Sequence, residues 1–124
     1  MKIIIPGRPV PAVRMTGRGK WKKPEAQRYL DYKAQVGWQA LAQTTKPITG
    51  YVAVNVRVYL WGKNTPMGND GDCDNYLKAG LDALNGIVWV DDRQVIKATV
   101  EKIATRAQAE ERMEIYVEEV FNLV

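Results

Sequence analysis

Tyr51-Val52-Ala53-Val54-Asn55-Val56-Arg57-Val58-Tyr59-Leu60 puts Val52, Val54, Val56, Val58 and Leu60 on one side of an extended chain and Tyr51, Asn55, Arg57 and Tyr59 on the other. Successive side chains of a strand point to opposite faces, so this two-residue period predicts a strand with one buried and one polar face. A sheet built around it needs apolar cover on the valine side, and its neighbours in sequence supply that cover. Downstream, Gly62 to Gly71, with Pro66 and Gly68 inside it, reads as a loop. A helix follows from about Asp72 to Leu84, with Leu77, Leu81 and Leu84 on one face and Asn85-Gly86 as its stop. Ile87 to Val90 reads as a brief strand, Asp91-Asp92-Arg93 as a turn and Gln94 to Ile103 as a further strand. In Glu110 to Val120, Met113, Ile115 and Val117 alternate with Glu114, Tyr116 and Glu118, which predicts the last strand.

Upstream, Lys46-Pro47-Ile48-Thr49-Gly50 breaks the chain. Before it, Ala26, Tyr29, Leu30, Ala34, Val36, Ala40 and Leu41 form a broad helical stripe over Glu25 to about Ala42, one residue after a proline. Lys2 to Ile5 predicts an opening strand, and a Pro-, Gly- and charge-rich loop joins it to that helix. The order β, α, β, α, β, β, β predicts an α+β fold, a single domain over residues 1–124 with a mixed sheet and two main helices. No apolar run approaches the roughly 20 residues that cross a bilayer, and Met1-Lys2-Ile3-Ile4-Ile5-Pro6 lacks the features of a signal peptide. The expectation is a soluble cytoplasmic protein without membrane contact.

Histidine is absent and Cys73 is the single cysteine, which removes serine triads, zinc hydrolases and histidine-based nucleases. Chemistry, if present, rests on carboxylates, lysine, arginine or tyrosine. Charge is segregated: residues 1–50 carry ten Lys/Arg against Glu25 and Asp31, whereas the remainder carries eight against twelve acids. A basic first half beside an acidic second half suits a protein that grips a polyanion with one part and holds cations with the other, although a solvated basic face has the same composition. Arg14, Arg18, Lys20, Lys22 and Lys23 are the candidate phosphate contacts, and Trp21 among them can stack on a base or pack on its own protein.

Asp70-Gly-Asp72-Cys-Asp74-Asn75-Tyr-Leu-Lys78 and Val90-Asp91-Asp92-Arg93-Gln94 carry the informative acids. Taken alone, Asp72 and Asp74 suit the positive end of a helix, and Asp91-Asp92 suits a polar turn. Both acidic sites nonetheless lie at the ends of elements joined by one helix and one short strand, so the sequence predicts that they meet at one sheet edge. Carboxylates ~4 Å apart repel by about 4 kcal/mol at an effective dielectric near 20, so a tight trio needs a bound cation, protonation or a basic partner, and a hard dication such as magnesium answers that need. An EF-hand is excluded, because its sixth position would be Asn75 instead of glycine and its twelfth Leu81 instead of glutamate. Lys78 lies one turn after Asp74, near a bound phosphate or in a surface ion pair. Asp82 is placed to partner Lys78, Asn75 to cap or orient a carboxylate, and Cys73 to pack, since magnesium disfavours sulfur. Trp38, Trp61 and Trp89 are expected in the core or a dimer interface.

Asp72-x-Asp74-Asn75-x-x-Lys78, then Asp82-Ala-Leu and an aromatic ahead of Asp91-Asp92-x-Gln94-Val95, resembles the RusA family of Holliday junction resolvases. Ile3 to Arg14 is similar to that family's opening strand and proline-rich basic loop, although of the family's Arg-Pro-Arg only Arg14 is present, between Val13 and Met15. The resemblance implies a homodimer that binds four-way DNA junctions and makes paired nicks with Mg²⁺, for which Mn²⁺ can substitute. By motif position it implies Asp72, Asp74 and Asp92 as the metal-site acids, Lys78 as the catalytic or phosphate-binding lysine, and Asp91 as a neighbour. A related nuclease for flaps or other branched DNA, and a catalytically silent DNA-binding module, are the alternatives.

Overall fold

The computed structural model describes residues 1–13, 24–44, 46–63, 65–66 and 71–121. Tyr51–Leu60, here β2, is a strand of ten residues, with Val52, Val54, Val56, Val58 and Leu60 all at most 2% exposed. It is central because both its edges are used: it pairs antiparallel with β4 (Arg112–Val120) and parallel with β3 (Val95–Ala104). β1 (Lys2–Pro6) adds to the far side of β4, giving a four-stranded mixed sheet in the order β1-β4-β2-β3. The row Ile3, Ile115, Val56, Val100 crosses all four strands in register. Full burial of each such aliphatic side chain contributes about 1.5–3 kcal/mol, and this row anchors the core.

Parallel pairing of β2 and β3 requires a crossover, and α2 (Cys73–Leu84) provides it. Gly80 lets this helix sit close on the sheet, where a Cβ would meet Val56 Cγ2 at 3.4 Å and Ile115 Cδ1 at 3.5 Å. α1 (Pro24–Leu41) begins on its proline, whose missing N–H costs nothing in a first turn, and packs Tyr32, Val36 and Ala40 into the core. Both helices cover the valine face of the sheet. No helix among the described residues is long and apolar enough to cross a membrane.

The fold class is the α+β domain expected, with one correction. Ile87–Val90 is not a strand but a turn, tied by isolated bridges from Trp89 to Ile48 and Asn85, so the sheet has four strands. Its apolar run exists because Val88 and Trp89 are fully buried plugs, not because the segment joins a ladder. Trp89 thus belongs to the core, whereas Trp38 and Trp61 are 73% and 42% exposed.

The opposite sheet face is polar and internally paired. Glu114, 5% exposed, accepts from Arg112 Nε at 2.6 Å and Tyr116 Oη at 2.5 Å, while Arg57 meets Glu101 at 3.1 Å. Burial alone would push the Glu114 carboxyl up, but those two hydrogen bonds and the Arg112 charge hold it below its ordinary value. A depressed carboxylate contributes stability that is present above its unfolded pKa and lost as pH falls through the folded one. The melting temperature should therefore fall as pH drops below about 4.5, and Glu114→Gln should flatten that acid limb. Thermal scans of both proteins between neutral pH and pH ~3 measure it, and parallel curves would remove Glu114 from the effect.

Candidate active site

The start of α2 is built by close approach. Gly71 has no side chain because Pro11 lies where one would be: a Cβ there would stand 2.5 Å from Pro11 Cβ. Gly71 N donates to Tyr76 Oη at 3.3 Å, and Lys102 Nζ on β3 donates to Gly71 O at 3.0 Å. Ala12 N donates to Asn75 O at 2.9 Å, so the segment after β1 is stitched to the first turn of α2. A small cluster of Ala12, Tyr29 and Ala79 then fastens that segment and α1 to the same helix. The basic stretch with Arg14, Arg18, Lys20, Trp21, Lys22 and Lys23 lies outside the described residues, but both its flanks, Val13 and Pro24, belong to this fastened region. Asp70 also lies outside them.

Asp72 occupies the N-cap position of α2 with extended backbone, yet its side chain makes no capping hydrogen bond. Asp74 follows in the first turn, and both are exposed. Neither takes part in an ion pair among the described residues. Two exposed carboxylates, separated by Cys73 and outside any ion pair among the described residues, thus stand at the end of a helix where N–H groups point outward. Cys73 between them is free and half-buried.

One turn on, Lys78 Nζ donates to Asp82 Oδ2 at 2.8 Å, and Tyr29 Oη donates to the same oxygen at 3.3 Å. Burial, with the charge and hydrogen bond of Asp82, pushes the Tyr29 phenol up to about 12, so Tyr29 remains a donor at all physiological pH values. Tyr29 is a member of the site that sequence reading assigned to a helix stripe. Only its pairing across helices gives it this role, and spacing within α1 carries no such signal.

At the other end of α2, Asp91 and Asp92 have different tasks. Asp91 Oδ1 accepts from Arg93 N at 2.8 Å and Arg93 Nε at 3.3 Å, capping the 3-10 turn Asp92–Gln94. The backbone hydrogen bond from Arg93, then its side chain, holds the Asp91 carboxyl below its ordinary range. Asp92 Oδ1 accepts from the buried Trp89 indole at 3.0 Å. Gln94 clamps the turn: its Oε1 accepts from Val90 N and Asp91 N at 2.8 Å each, and its Nε2 donates to Ile48 O and Gly50 O at 2.7 Å each. The Asp91-x-x-Gln94 capping-box spacing was the sequence signal for this residue.

The expected meeting of the two acidic sites does not occur within one chain. Asp72 and Asp74 stand at the start of α2 and Asp92 beyond its end, and twelve helical residues span about 18 Å. The sheet gives the same answer, because Lys102 holds Gly71 near the C-terminal end of β3 while Asp92 precedes its first residue. Among the described residues no group of three or more potential ligands lies close enough to hold one metal ion. The reason is the missing strand: with Ile87–Val90 a turn, nothing carries the chain back along α2 before Asp92, and β3 does so only after it.

Comparison with known proteins places this geometry in context. The family model for endodeoxyribonuclease RusA matches residues 6–118. The uncharacterized protein YqaN of Bacillus subtilis (strain 168) is 31% identical over 134 aligned residues, which cover 94% of this chain and 90% of that protein.

Proposed function

The chain belongs to the RusA endodeoxyribonuclease family, and from that premise we propose that it is a divalent-metal-dependent nuclease that resolves four-way DNA junctions by paired nicks. The observation that carries the reading is Asp72: a residue at a helix N-cap whose carboxylate does no capping, beside a second free carboxylate at Asp74. These acids, with Asp92, offer oxygen donors of the type that suits Mg²⁺, or Mn²⁺ in its place. A divalent cation held by these acids would supply an activated water at neutral pH and positive charge for the departing oxygen. Asp92 fits the ligand role better than Asp91, whose oxygens are engaged by Arg93. Lys78, paired with Asp82 and 61% exposed, is the cation available to contact the phosphate and to neutralise charge that would build on it. Asn75 fixes the loop through its carbonyl, and the basic segment from Arg14 to Lys23 grips the flanking backbone.

The same geometry supports the further proposal of a homodimer. A single chain holds Asp92 about one helix length from Asp72 and Asp74; a two-fold partner in antiparallel arrangement would bring its own Asp92 to the first chain's α2 start, and the reverse. Each nick site is then shared between subunits, and two sites face the two symmetric strands of a junction. The direct test is nicking of a synthetic four-way junction with Mg²⁺ by native and Asp74→Asn protein. Loss of about 100-fold or more in the variant is expected. Equal cleavage by both proteins overturns the catalytic assignment, and linear duplex cut as readily as junctions would reassign the substrate.

A further inference from the structure

Between the segment after β1, the first turns of α1 and the start of α2 lies a cleft of about 410 Å³, lined by Arg8, Pro9, Pro11, Arg28, Gly71 and Tyr76 among others. Its walls are of two kinds. Pro9, Pro11 and Tyr76 contribute its apolar floor, and Arg8 and Arg28 are the charged residues of its lining. Arg8 is fixed in place: it pairs with the buried Glu111 and donates to Trp61 O at 2.9 Å, so its charge is already balanced. Arg28 is exposed and takes part in no ion pair among the described residues. It precedes Tyr29, which is bonded to the Asp82 that holds Lys78, so the backbone carrying Arg28 is set relative to the candidate phosphate contact. The cleft also reaches the start of α2, since Gly71 lines it and is the chain neighbour of Asp72, one Cα step of about 3.8 Å away.

We propose that this cleft seats a non-scissile backbone phosphate of the bound DNA strand, one or two nucleotides from the nick, with Arg28 as its guanidinium partner and the apolar floor under the sugar. The proposal rests on the nuclease reading for the identity of the strand. A guanidinium presents paired N–H donors that match two phosphate oxygens, and a charge in the cleft lining that no ion pair among the described residues balances favours an anion there. Each phosphate neutralised adds about one to the steepness with which binding falls with salt.

The test uses the whole protein and a four-way junction in EDTA, so that binding is read without cleavage. Arg28→Ala should weaken binding about 5- to 10-fold and reduce the slope of log affinity against log salt by about one, while Arg28→Lys keeps most of that slope. Single neutral methylphosphonates are then placed in turn through the nucleotides flanking the nick. The native protein should lose affinity at one or two positions, and Arg28→Ala should be insensitive at one of them, because the pair has already been broken. An unchanged salt slope, or no position at which the loss vanishes in the variant, overturns the proposal. The two readings fail separately. Native protein that nicks junctions in Mg²⁺ while the Arg28→Ala slope stays unchanged removes the cleft and leaves the nuclease. Reduced slope with matched methylphosphonate loss, but no nicking by native protein, leaves a phosphate site and removes the nuclease.

Discussion

Asp74→Asn protein and Asp92→Asn protein, each without nicking activity alone, should regain nicking when they are mixed and allowed to exchange subunits. The reason is the length of α2, which keeps Asp92 about 18 Å from the Asp72 and Asp74 of its own chain. If sites are shared across a two-fold axis, a mixed dimer has one site with all three native acids and one with two substituted. Random exchange makes half the dimers mixed, so about a quarter of all sites should be intact. Such dimers cut one strand, so the product is a nicked junction with little resolved duplex. Differently tagged subunits that copurify show that exchange has occurred. A mixture that has exchanged and stays as inactive as its parents overturns the shared site, because sites within single chains gain nothing from a mixed partner.

The separation of Asp92 from Asp72 and Asp74 was not legible in the sequence, and the cause is specific. The alternation of Tyr51–Leu60 reported the central strand because burial on one face imposes a two-residue period, and the structure has it with the same bounds. The α2 boundaries were legible within a residue, since Asp72 is a start signal and Asn85-Gly86 a stop signal, and both act locally. Ile87–Val90 was misread because a run of four apolar residues has no period to distinguish a strand from a buried turn. That one misreading supplied the return leg that seemed to bring the acids together. The division of labour between Asp91 and Asp92 was likewise hidden: each is an aspartate in a turn, and only the hydrogen bonds from Arg93 and Trp89 separate them. Tyr29 and Arg28 entered the site through packing of α1 on α2, a tertiary fact that no spacing within either helix encodes.

Lys78→Ala should leave junction binding in EDTA within about threefold of native and lower kcat by about 10²–10³, the scale seen when one preorganised charge is removed from a developing oxyanion. Two readings of this lysine compete, and they differ in which constant moves. As half of an exposed i,i+4 pair with Asp82, its loss would cost no more than a few tenths of a kcal/mol of stability and leave kcat unchanged. As a phosphate contact, it acts most strongly when charge is greatest, so kcat falls while affinity for the uncut junction hardly changes. Asp82→Asn tells whether the pair positions the lysine. It removes the charge that holds Nζ at 2.8 Å but keeps an oxygen for Tyr29 Oη, so kcat should fall about tenfold, with Lys78 still present. Were Asp82→Asn to match native protein while Lys78→Ala lost its rate, the lysine would act without that support. Were Lys78→Ala to lose binding with kcat intact, its place would be in the DNA grip beside Arg28, not over the scissile phosphate.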